Sequence, residues 1–329
     1  MKSNPLYVFF ALLFCFSACR NPEIQEHTNE TKSKSSSDTI ILSGAFALMP
    51  VAINWAIEFQ KMHPGVKVKV FTKGTGAGIK DLIDKKATLA MISRDASPAE
   101  NNGVLWKLSV ARDGVGLIIN PKNPWLKDIL TRGFTQAELV HIFTSGQTLK
   151  WNDFLKTAGS KPINLYSRSD NSGAAEVWAN FLLCTQTDLS GKGCEGDPEM
   201  IKKVSEDIYG MGFCNLNFAF DDKSRERIPA IQIVPIDLNN NGKVDKKEEI
   251  AGNLLDFERN VWTGRYPKCL CRYLYLATLK KPEDPNVIEF LKFTQTKGQE
   301  IVVSSGLCKL NSYEIENNQL LLKNSNILY

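Results

Sequence analysis

Ser167-Arg168-Ser169-Asp170-Asn171-Ser172-Gly173 lies between a predicted strand, Ile163–Tyr166, and a predicted helix, Ala175–Leu183. The first amides of a helix have no acceptor within the helix and lie at the positive end of its dipole, so this segment can present donors to an oxyanion. Arg168 adds a planar fork of fixed positive charge. An ordinary capped helix, with Arg168 paired to its own Asp170, would show the same residues. Both interpretations stay open on this stretch alone.

The N-terminus has the pattern of a secretory signal. A lysine precedes the apolar run Leu6–Phe16, which is too short to span a membrane and ends in small residues directly before Cys19. This arrangement resembles the lipobox of bacterial lipoproteins, which implies cleavage before Cys19 and its lipidation; the alternative is a plain signal peptide with an unrelated cysteine. We therefore predict a lipoprotein signal peptide over residues 1–18, a flexible polar tether over residues 19–38, and a product exported and anchored to the cell envelope.

The remaining chain, from Thr39 to Tyr329, is long enough for two lobes of ordinary domain size. The full sequence carries 40 lysines and arginines against 36 aspartates and glutamates, a formal charge of +4. No basic run has the length typical of nucleic-acid binding, so we expect no nucleic-acid partner. The charge says little about the ligand.

Six cysteines remain once Cys15 leaves with the signal peptide and Cys19 takes lipid. An exported protein is in a compartment that permits disulfides, so we expect disulfide bonds, with Cys184 and Cys194 forming the most plausible local loop. A zinc site is disfavoured because the spacing of the cysteines is not that of a zinc knuckle and the histidines are remote in sequence. The six are Cys184, Cys194, Cys214, Cys269, Cys271 and Cys308.

Strand and helix patterns alternate along the chain. Short apolar runs of the buried-strand type are interleaved with segments of helical periodicity, which predicts parallel α/β sheets. The predicted strands include Thr39–Leu42, Val66–Phe71, Leu89–Ser93, Gly114–Asn120 and Ile231–Ile236, and the predicted helices include Pro50–Met62, Ile79–Lys86, Thr135–Thr144 and Val287–Thr296.

A second small-residue loop, Gly74-Thr75-Gly76-Ala77-Gly78, also separates a predicted strand from a predicted helix. It does not match a dinucleotide fingerprint, because the third glycine would fall at Ile79, and it lacks the Gly-Lys-Ser/Thr of a Walker A loop. Its backbone can approach an anion closely, with Thr75 as a hydroxyl donor. A glycine-rich surface turn is the alternative.

The twelve residues from Asp237 to Glu248 follow a calcium-loop pattern, with oxygen ligands at positions 1, 3, 5 and 12, glycine at position 6 and an apolar residue at position 8. A strand-like segment precedes them where an EF-hand has a helix, so a structural calcium loop in another setting is favoured over a sensor. An Asn-Gly hairpin turn with solvated acids is the alternative. The expected ligands are Asp237, Asn239, Asn241, the carbonyl of Lys243, Asp245 and Glu248.

Several segments, taken in order, resemble the phosphate-binding component of bacterial ABC phosphate importers. They are Ser43–Pro50, Gly74–Gly78, Ala90–Asp95, Gly114–Pro121, Phe143–Gly146 and Arg168–Gly173. The resemblance implies an α/β fold of the two-lobed periplasmic binding protein type (type II), with lobes joined by hinge strands and an oxyanion held in the cleft. It implies one lobe from residues 39–112 plus 256–329, a second from residues 113–255, and a monomer that delivers its ligand to a membrane permease.

The resemblance assigns ligand-binding roles by position. It implies backbone donors at Ala45, Phe46 and Ala47, a hydroxyl and close backbone at Thr75 and Gly76, an acceptor region at Arg94 and Asp95, and a clamp at Arg168, Ser172, Gly173 and Ala174. The sequence departs from the family pattern where Phe46 and Ala174 lack hydroxyls and Arg94 replaces an acceptor, a role that Asp95 could take. An acceptor matters because protonated phosphate has a hydrogen to donate and sulfate does not.

Two functions from different classes follow. The first is a lipid-anchored receptor that captures phosphate or a similar oxyanion for an ABC transporter. The second is a structural or adhesive surface lipoprotein that keeps the fold and the calcium loop without tight anion binding. An enzyme with Ser172 as nucleophile is disfavoured, since no G-x-S-x-G elbow surrounds it and only His63 and His141 could serve as base.

Overall fold

The computed structural model describes residues 38–100, 105–221, 223–249 and 252–323. All of these ranges belong to one compact unit, Ser35–Tyr329. The predicted signal peptide, most of the tether and the predicted lipidation site Cys19 lie outside the described residues. Within the described ranges, no helix combines the length and the apolar character that crossing a membrane requires.

Strands and helices alternate through most of the described chain. The strands are β1 (Thr39–Gly44), β2 (Lys67–Thr72), β3 (Leu89–Ile92), β4 (Trp106–Ile119), β5 (Phe134–Thr135), β6 (Asn164–Arg168), β7 (Lys192–Cys194), β8 (Gly210–Asn215), β9 (Gln232–Val234), β10 (Ile236–Asp237) and β11 (Cys271–Thr278). The helices are α1 (Met49–Met62), α2 (Thr75–Ile83), α3 (Leu126–Arg132), α4 (Gln136–Thr144), α5 (Gly173–Phe181), α6 (Gly196–Glu206), α7 (Leu254–Trp262), α8 (Pro285–Thr294), α9 (Gly298–Ser304) and α10 (Ser312–Lys323).

The main sheet has the strand order β2-β1-β3-β11-β4-β8-β6-β7, with β9 also paired to β4. The outer strands are parallel as predicted, β1 with β2 and β3 on one side and β6 with β7 and β8 on the other. The two central strands differ from the prediction, because β11 is antiparallel to β3 and β4, and β4 is antiparallel to β8. The sheet is therefore mixed.

The long strand β4 connects two hydrophobic cores, which define the two lobes of this α/β fold. Its first half, with β11, belongs to the first lobe, where Trp55, Phe59 and Phe290 are fully buried. Its second half pairs with β8 and belongs to the second lobe, whose core is built around Trp178 and Phe213. The strands β4 and β11 run between the cores and are the hinge strands of the fold.

The packing places α7 in the second lobe, since its Phe257 is fully buried in the same core as Trp178. Hydrophobic contacts of that lobe therefore continue past residue 255, up to the start of β11. The lobe limits given by the resemblance, 39–112 plus 256–329 and 113–255, stay a prediction.

The expected disulfide bonds are not formed, because all six cysteines of the described chain are free. Cys194 is buried at the end of β7, where its Sγ donates to the Lys192 carbonyl at 3.8 Å, whereas Cys184 is half-buried after α5. Burial raises the pKa of the Cys194 thiol to about 11. The predicted Cys184–Cys194 bond is thus replaced by two free thiols that pack on the same hydrophobic core.

Candidate functional site

A small cavity of about 10 Å³ lies where loops from both lobes meet. Ala45–Ala47 and Gly74–Thr75 border it from the first lobe, and Arg168 and Ser172–Ala174 border it from the second. This volume is close to what a single water-sized sphere needs, so the lobes are closed tightly around the site. Asn217 supports this closure, since its Nδ2 donates to the Ala47 carbonyl across the lobes at 3.0 Å.

Helix starts supply the backbone donors of the cavity. Ser172 is the N-cap of α5, and its Oγ accepts from the amides of Ala174 at 3.1 Å and Ala175 at 3.3 Å. Gly74 precedes α2 with a φ of +85°, in the left-handed region that favours glycine. The first amides of both helices lack an acceptor within the helix, and the two helix dipoles place positive charge at the same cavity.

Hydroxyl groups form a second set of possible donors. Thr75 is fully buried, and its Oγ1 lies 3.0 Å from Ser93 Oγ and accepts from the Ser93 amide at 3.2 Å. Both hydroxyls line the cavity from the first lobe. A hydroxyl can donate or accept, so this pair can adapt to an oxyanion in either protonation state.

Arg168 is buried and held by two carboxylates. Its Nε and Nη2 donate to Asp170 at 2.7 and 2.9 Å in a bidentate pair, and its Nη1 donates to Asp197 at 3.2 Å. Burial alone would lower the pKa of Arg168, but Asp197 and Asp170 raise it above its ordinary value. The Phe46 ring lies 5.5 Å from the guanidinium and contributes a cation–π contact from the other lobe.

Asp197 continues this network into the second lobe. It is fully buried in the first turn of α6, and its carboxylate accepts from the Asn215 amide at 2.8 Å and from Asn215 Nδ2 at 2.7 Å. Asn215 Oδ1 in turn accepts from Arg272 Nη2, which also donates to Asp113 at 3.3 Å. The network therefore joins the cavity wall to the hinge strands β4 and β11.

Arg94 connects the lobes beside the cavity. Its Nη1 and Nη2 donate to Glu100 at 2.7 and 2.5 Å, and its Nε lies 3.3 Å from Glu176 of α5. Asn171 completes the contact, since its Nδ2 donates to Glu100 at 3.0 Å. The hydrogen bonds from Arg94 lower the pKa of Glu100 to about 2, so this carboxylate is ionised near neutral pH.

Comparison with known proteins identifies the family. A model of the PBP superfamily domain matches residues 29–297, which is most of the chain. The chain belongs to the PBP superfamily. In this superfamily member, the two-lobed α/β fold and the cleft between the lobes agree with the expected periplasmic binding protein architecture.

Curated relatives are similar over most of their length. The phosphate-binding protein PstS of Pseudomonas aeruginosa is 25% identical over 315 residues, which cover 89% of this chain and 88% of the relative. Protein SphX of Synechocystis is 26% identical over 269 residues, covering 78% of this chain and 74% of the relative. PstS is named as a binding protein rather than an enzyme, in agreement with the expectation from the sequence.

Two solved structures of proteins described as parts of ABC transport systems share the fold. A substrate-binding protein of an ABC transporter from Clostridium perfringens, solved with bound phosphate, matches with a TM-score of 0.66 and 21% identity, covering 83% of this chain and 100% of that protein. An ABC-type phosphate transport receptor from Vibrio cholerae matches with a TM-score of 0.59 and 18% identity, covering 82% and 100%. At these identities the likeness concerns the fold.

The structure brings most of the candidate ligand-binding residues of this PBP superfamily member to one place. The cavity is bordered by Ala45, Phe46, Ala47, Thr75, Arg168, Ser172, Gly173 and Ala174. It does not bring Gly76, Arg94 and Asp95 there. Gly76 and Arg94 instead lie beside Glu100. The Asp95 side chain is 79% exposed and pairs with Lys107.

Other residues at the cavity were not identified from the sequence as ligand groups. They are Gly74, Ser93, Asp170 and Asn215. Ser93 directly precedes Arg94, and Asp170 lies two residues from both Arg168 and Ser172, so a position just after a strand was a usable signal for both. Asn215, Asp197 and Arg272 come from β8, α6 and β11, and only the pairing of distant strands shows that they meet.

The predicted calcium loop begins at strand β10 rather than at a helix. Asp237 and Glu248 are buried, with exposed fractions of 1% and 4%. Asp237 accepts from the Gly242 amide at 2.8 Å, and Glu248 accepts from the Leu238 amide at 2.8 Å and the Asp245 amide at 2.8 Å. Both carboxylates are therefore turned into the loop.

The polar side chains of this loop converge on Asp245. Asn239 Nδ2 and Asn241 Nδ2 donate to Asp245 Oδ2 at 2.9 and 2.8 Å. In the described part of the chain, no three His, Cys, Asp or Glu side chains form a metal-binding group. The asparagines and the Lys243 carbonyl would therefore have to complete the ligand set of a hard cation, which accepts such oxygen ligands.

Proposed function

We propose that this protein captures phosphate or a similar oxyanion and delivers it to the permease of an ABC transporter. The observation that carries the proposal is the convergence of two helix starts, two hydroxyls and a buried guanidinium on one cavity between the lobes. The named functions of the PstS relatives support the same ligand class. The ligand itself would be inorganic phosphate or an anion of similar shape.

Ligand capture requires opening of the lobes, because the cavity is smaller than a tetrahedral oxyanion. The anion would enter an open cleft and then contact donors from both lobes, so its binding energy favours closure. Contacts across the lobes, such as Asn217 to Ala47 and Arg94 to Glu176, hold the closed form. Closure removes water, which strengthens the charge-assisted hydrogen bonds to the anion.

Phosphate is expected to raise the melting temperature of the mature chain, residues 19–329, purified in detergent. A ligand that binds only the folded state stabilises it by an amount that grows with the logarithm of ligand concentration, about 2.7 kcal/mol at a hundredfold excess over Kd. Tryptophan fluorescence can follow unfolding, since the sequence has 6 tryptophans. Sulfate, molybdate, tungstate and arsenate form the comparison set, with chloride at matched ionic strength as the control.

The same screen separates this function from the alternative. If none of the anions shifts the melting temperature relative to chloride, the receptor function is contradicted and a structural or adhesive surface lipoprotein becomes the better account. A shift with sulfate but not with phosphate would retain an anion receptor and change its ligand. Phosphate selectivity would require an acceptor for its proton. The hydroxyls of Thr75 and Ser93 can accept that proton, but they can equally donate to sulfate and do not select by themselves.

The proposal includes lipid attachment at Cys19 and export to the cell envelope. Its support is the sequence alone, namely the apolar run Leu6–Phe16 followed by small residues and a cysteine. The polar segment after Cys19 would let the folded unit reach a permease from a membrane anchor. A mature protein whose mass shows no acylated cysteine at its start would contradict this part of the proposal.

We also propose that the loop Asp237–Glu248 binds Ca²⁺ in a structural role. The loop packs on the second lobe, because β10 pairs with β5 and the Val244 amide donates to the Thr131 carbonyl at 2.8 Å. A cation held by Asp237 and Glu248 would offset the charge of two buried carboxylates. The cation would thereby stabilise the second lobe without touching the anion cavity.

Calcium is expected to raise the melting temperature of chelator-treated protein, and Glu248→Gln is expected to abolish that effect. The substitution removes the charged ligand at position 12 of the loop. Glu249→Gln is the matched control, since Glu249 is exposed beside it and is not in the ligand pattern. Equal melting temperatures of the chelated wild type with and without calcium would show that the loop is a turn.

A further inference from the structure

Arg272 is a buried guanidinium with unused donors. Its side chain is only 7% exposed, and it lies on the hinge strand β11 opposite Asp113 of β4. Its Nη2 donates to Asp113 and to Asn215. Its Nε and Nη1 have no hydrogen-bond partner, although both atoms are buried. Buried donors are normally satisfied, so these two call for an explanation.

The unpartnered Nη1 atom of Arg272 lies at the start of α5. A Cβ added to Gly173 would lie 2.8 Å from Arg272 Nη1, which places this nitrogen beside the first residue of the helix. Asn215, to which Arg272 donates, borders the anion cavity. The unpartnered Nη1 therefore lies beside the same helix start that Ser172 caps.

Arg272 has fewer carboxylate partners than Arg168 to compensate its positive charge. Arg168 is paired with two carboxylates, Asp170 and Asp197. Arg272 has a single direct carboxylate partner, Asp113. Burial raises the pKa of Asp113 to about 6, although Arg272 lowers it, and burial lowers the pKa of Arg272, although Asp113 and Asp197 raise it. Compared with Arg168, Arg272 therefore has less of its charge compensated by carboxylates.

We infer that Arg272 is a second cationic ligand group of the anion site, and that its free Nε and Nη1 donate to an oxyanion held at the start of α5. The inference rests on the proposed function and adds to it a residue from the hinge. Because Arg272 lies on β11, an anion bound to it would contact the hinge as well as both lobes. A dianion would then be held by Arg272 and Arg168 from different elements.

The test uses the purified mature chain and inorganic phosphate, with Kd measured by calorimetry. Arg272→Met is expected to weaken phosphate binding about tenfold or more, since it removes a charge-assisted pair from a closed site. This single change also leaves Asp113 buried without its cation, so the stability of the Arg272→Met variant is monitored by its melting temperature. Arg112→Met is the matched control, because Arg112 is on the neighbouring strand and pairs with Glu314 at 3.0 Å, away from the cavity.

The double variant Asp113→Asn/Arg272→Met separates ligand binding from ion pairing. It removes the charges of both Asp113 and Arg272. We expect its melting temperature to rise above that of Arg272→Met, while phosphate binding stays at least about tenfold weaker than in the wild type. Wild-type affinity in the double variant would overturn the inference, because Arg272 would then serve only to pair with Asp113. A wild type that binds no phosphate would instead contradict the proposed function itself.

Discussion

Replacing Arg168 with methionine is expected to weaken phosphate binding by about 2 kcal/mol or more, a loss of roughly 30-fold in affinity. Arg168 is buried at the cavity wall, with its guanidinium fixed by Asp170 and Asp197. This fixation keeps the fork in one orientation before the anion arrives. Methionine keeps much of the side-chain volume and removes the charge and the donors.

The same change is expected to destabilise the fold, because it leaves two buried carboxylates without their cation. Calorimetry for Kd and thermal unfolding for stability therefore have to be measured on the same samples. Arg132→Met is the matched control, since Arg132 pairs with Glu138 of the same lobe and neither residue borders the cavity. Wild-type phosphate affinity in a folded Arg168→Met protein would place Arg168 outside the site.

Replacing Gly173 with alanine is expected to weaken phosphate binding about tenfold or more by preventing full closure. The added Cβ would clash with Ser93 Oγ and would lie 2.8 Å from the Ser93 carbonyl oxygen. Ser93 belongs to the first lobe and Gly173 to the second, so the methyl group acts as a wedge between them. The Ser93 carbonyl is backbone and cannot move aside as a flexible side chain could.

We expect Gly173→Ala to impair closure of the lobes without lowering the stability of the ligand-free protein. Alanine favours a helix more than glycine does, so the ligand-free protein is expected to keep its melting temperature or gain slightly. Small-angle scattering with saturating phosphate should then show a larger radius of gyration than the wild type. Gly65→Ala is the control, because nothing lies within 4 Å of the Cβ position there. Equal affinity and equal radius for Gly173→Ala and wild type would contradict the closed-cleft account.

The alternation of strands and helices could be predicted, because the spacing of apolar residues within each segment indicates which of its faces is buried. The stretch before α5 was predicted as a strand over Ile163–Tyr166, and β6 covers Asn164–Arg168. The directions of β4 and β11 were not predictable, because apolar periodicity carries no information about strand polarity. The first half of β4 was missed although alternation of apolar and polar residues is typical of a half-buried strand, because the prediction considered only the continuous apolar run that begins at Gly114.

Both interpretations of the opening stretch describe part of the structure. Ser172 caps α5 and Arg168 pairs with Asp170, as an ordinary capped helix requires. The same residues border a cavity that is shared with the loops at Phe46 and Thr75. The sequence could place these loops at strand ends. It could not show that Asp197 and Arg272 contact the cavity residues Arg168 and Asn215, because only tertiary pairing brings them together.

A calorimetric titration of the purified mature chain with inorganic phosphate tests directly whether the cavity between the lobes binds an oxyanion. We expect saturable binding of one phosphate per chain, lost or strongly weakened in Arg168→Met and retained in Arg132→Met. No measurable heat of binding, together with an unchanged melting temperature in excess phosphate, would contradict the claim that the cavity between the lobes is an oxyanion site.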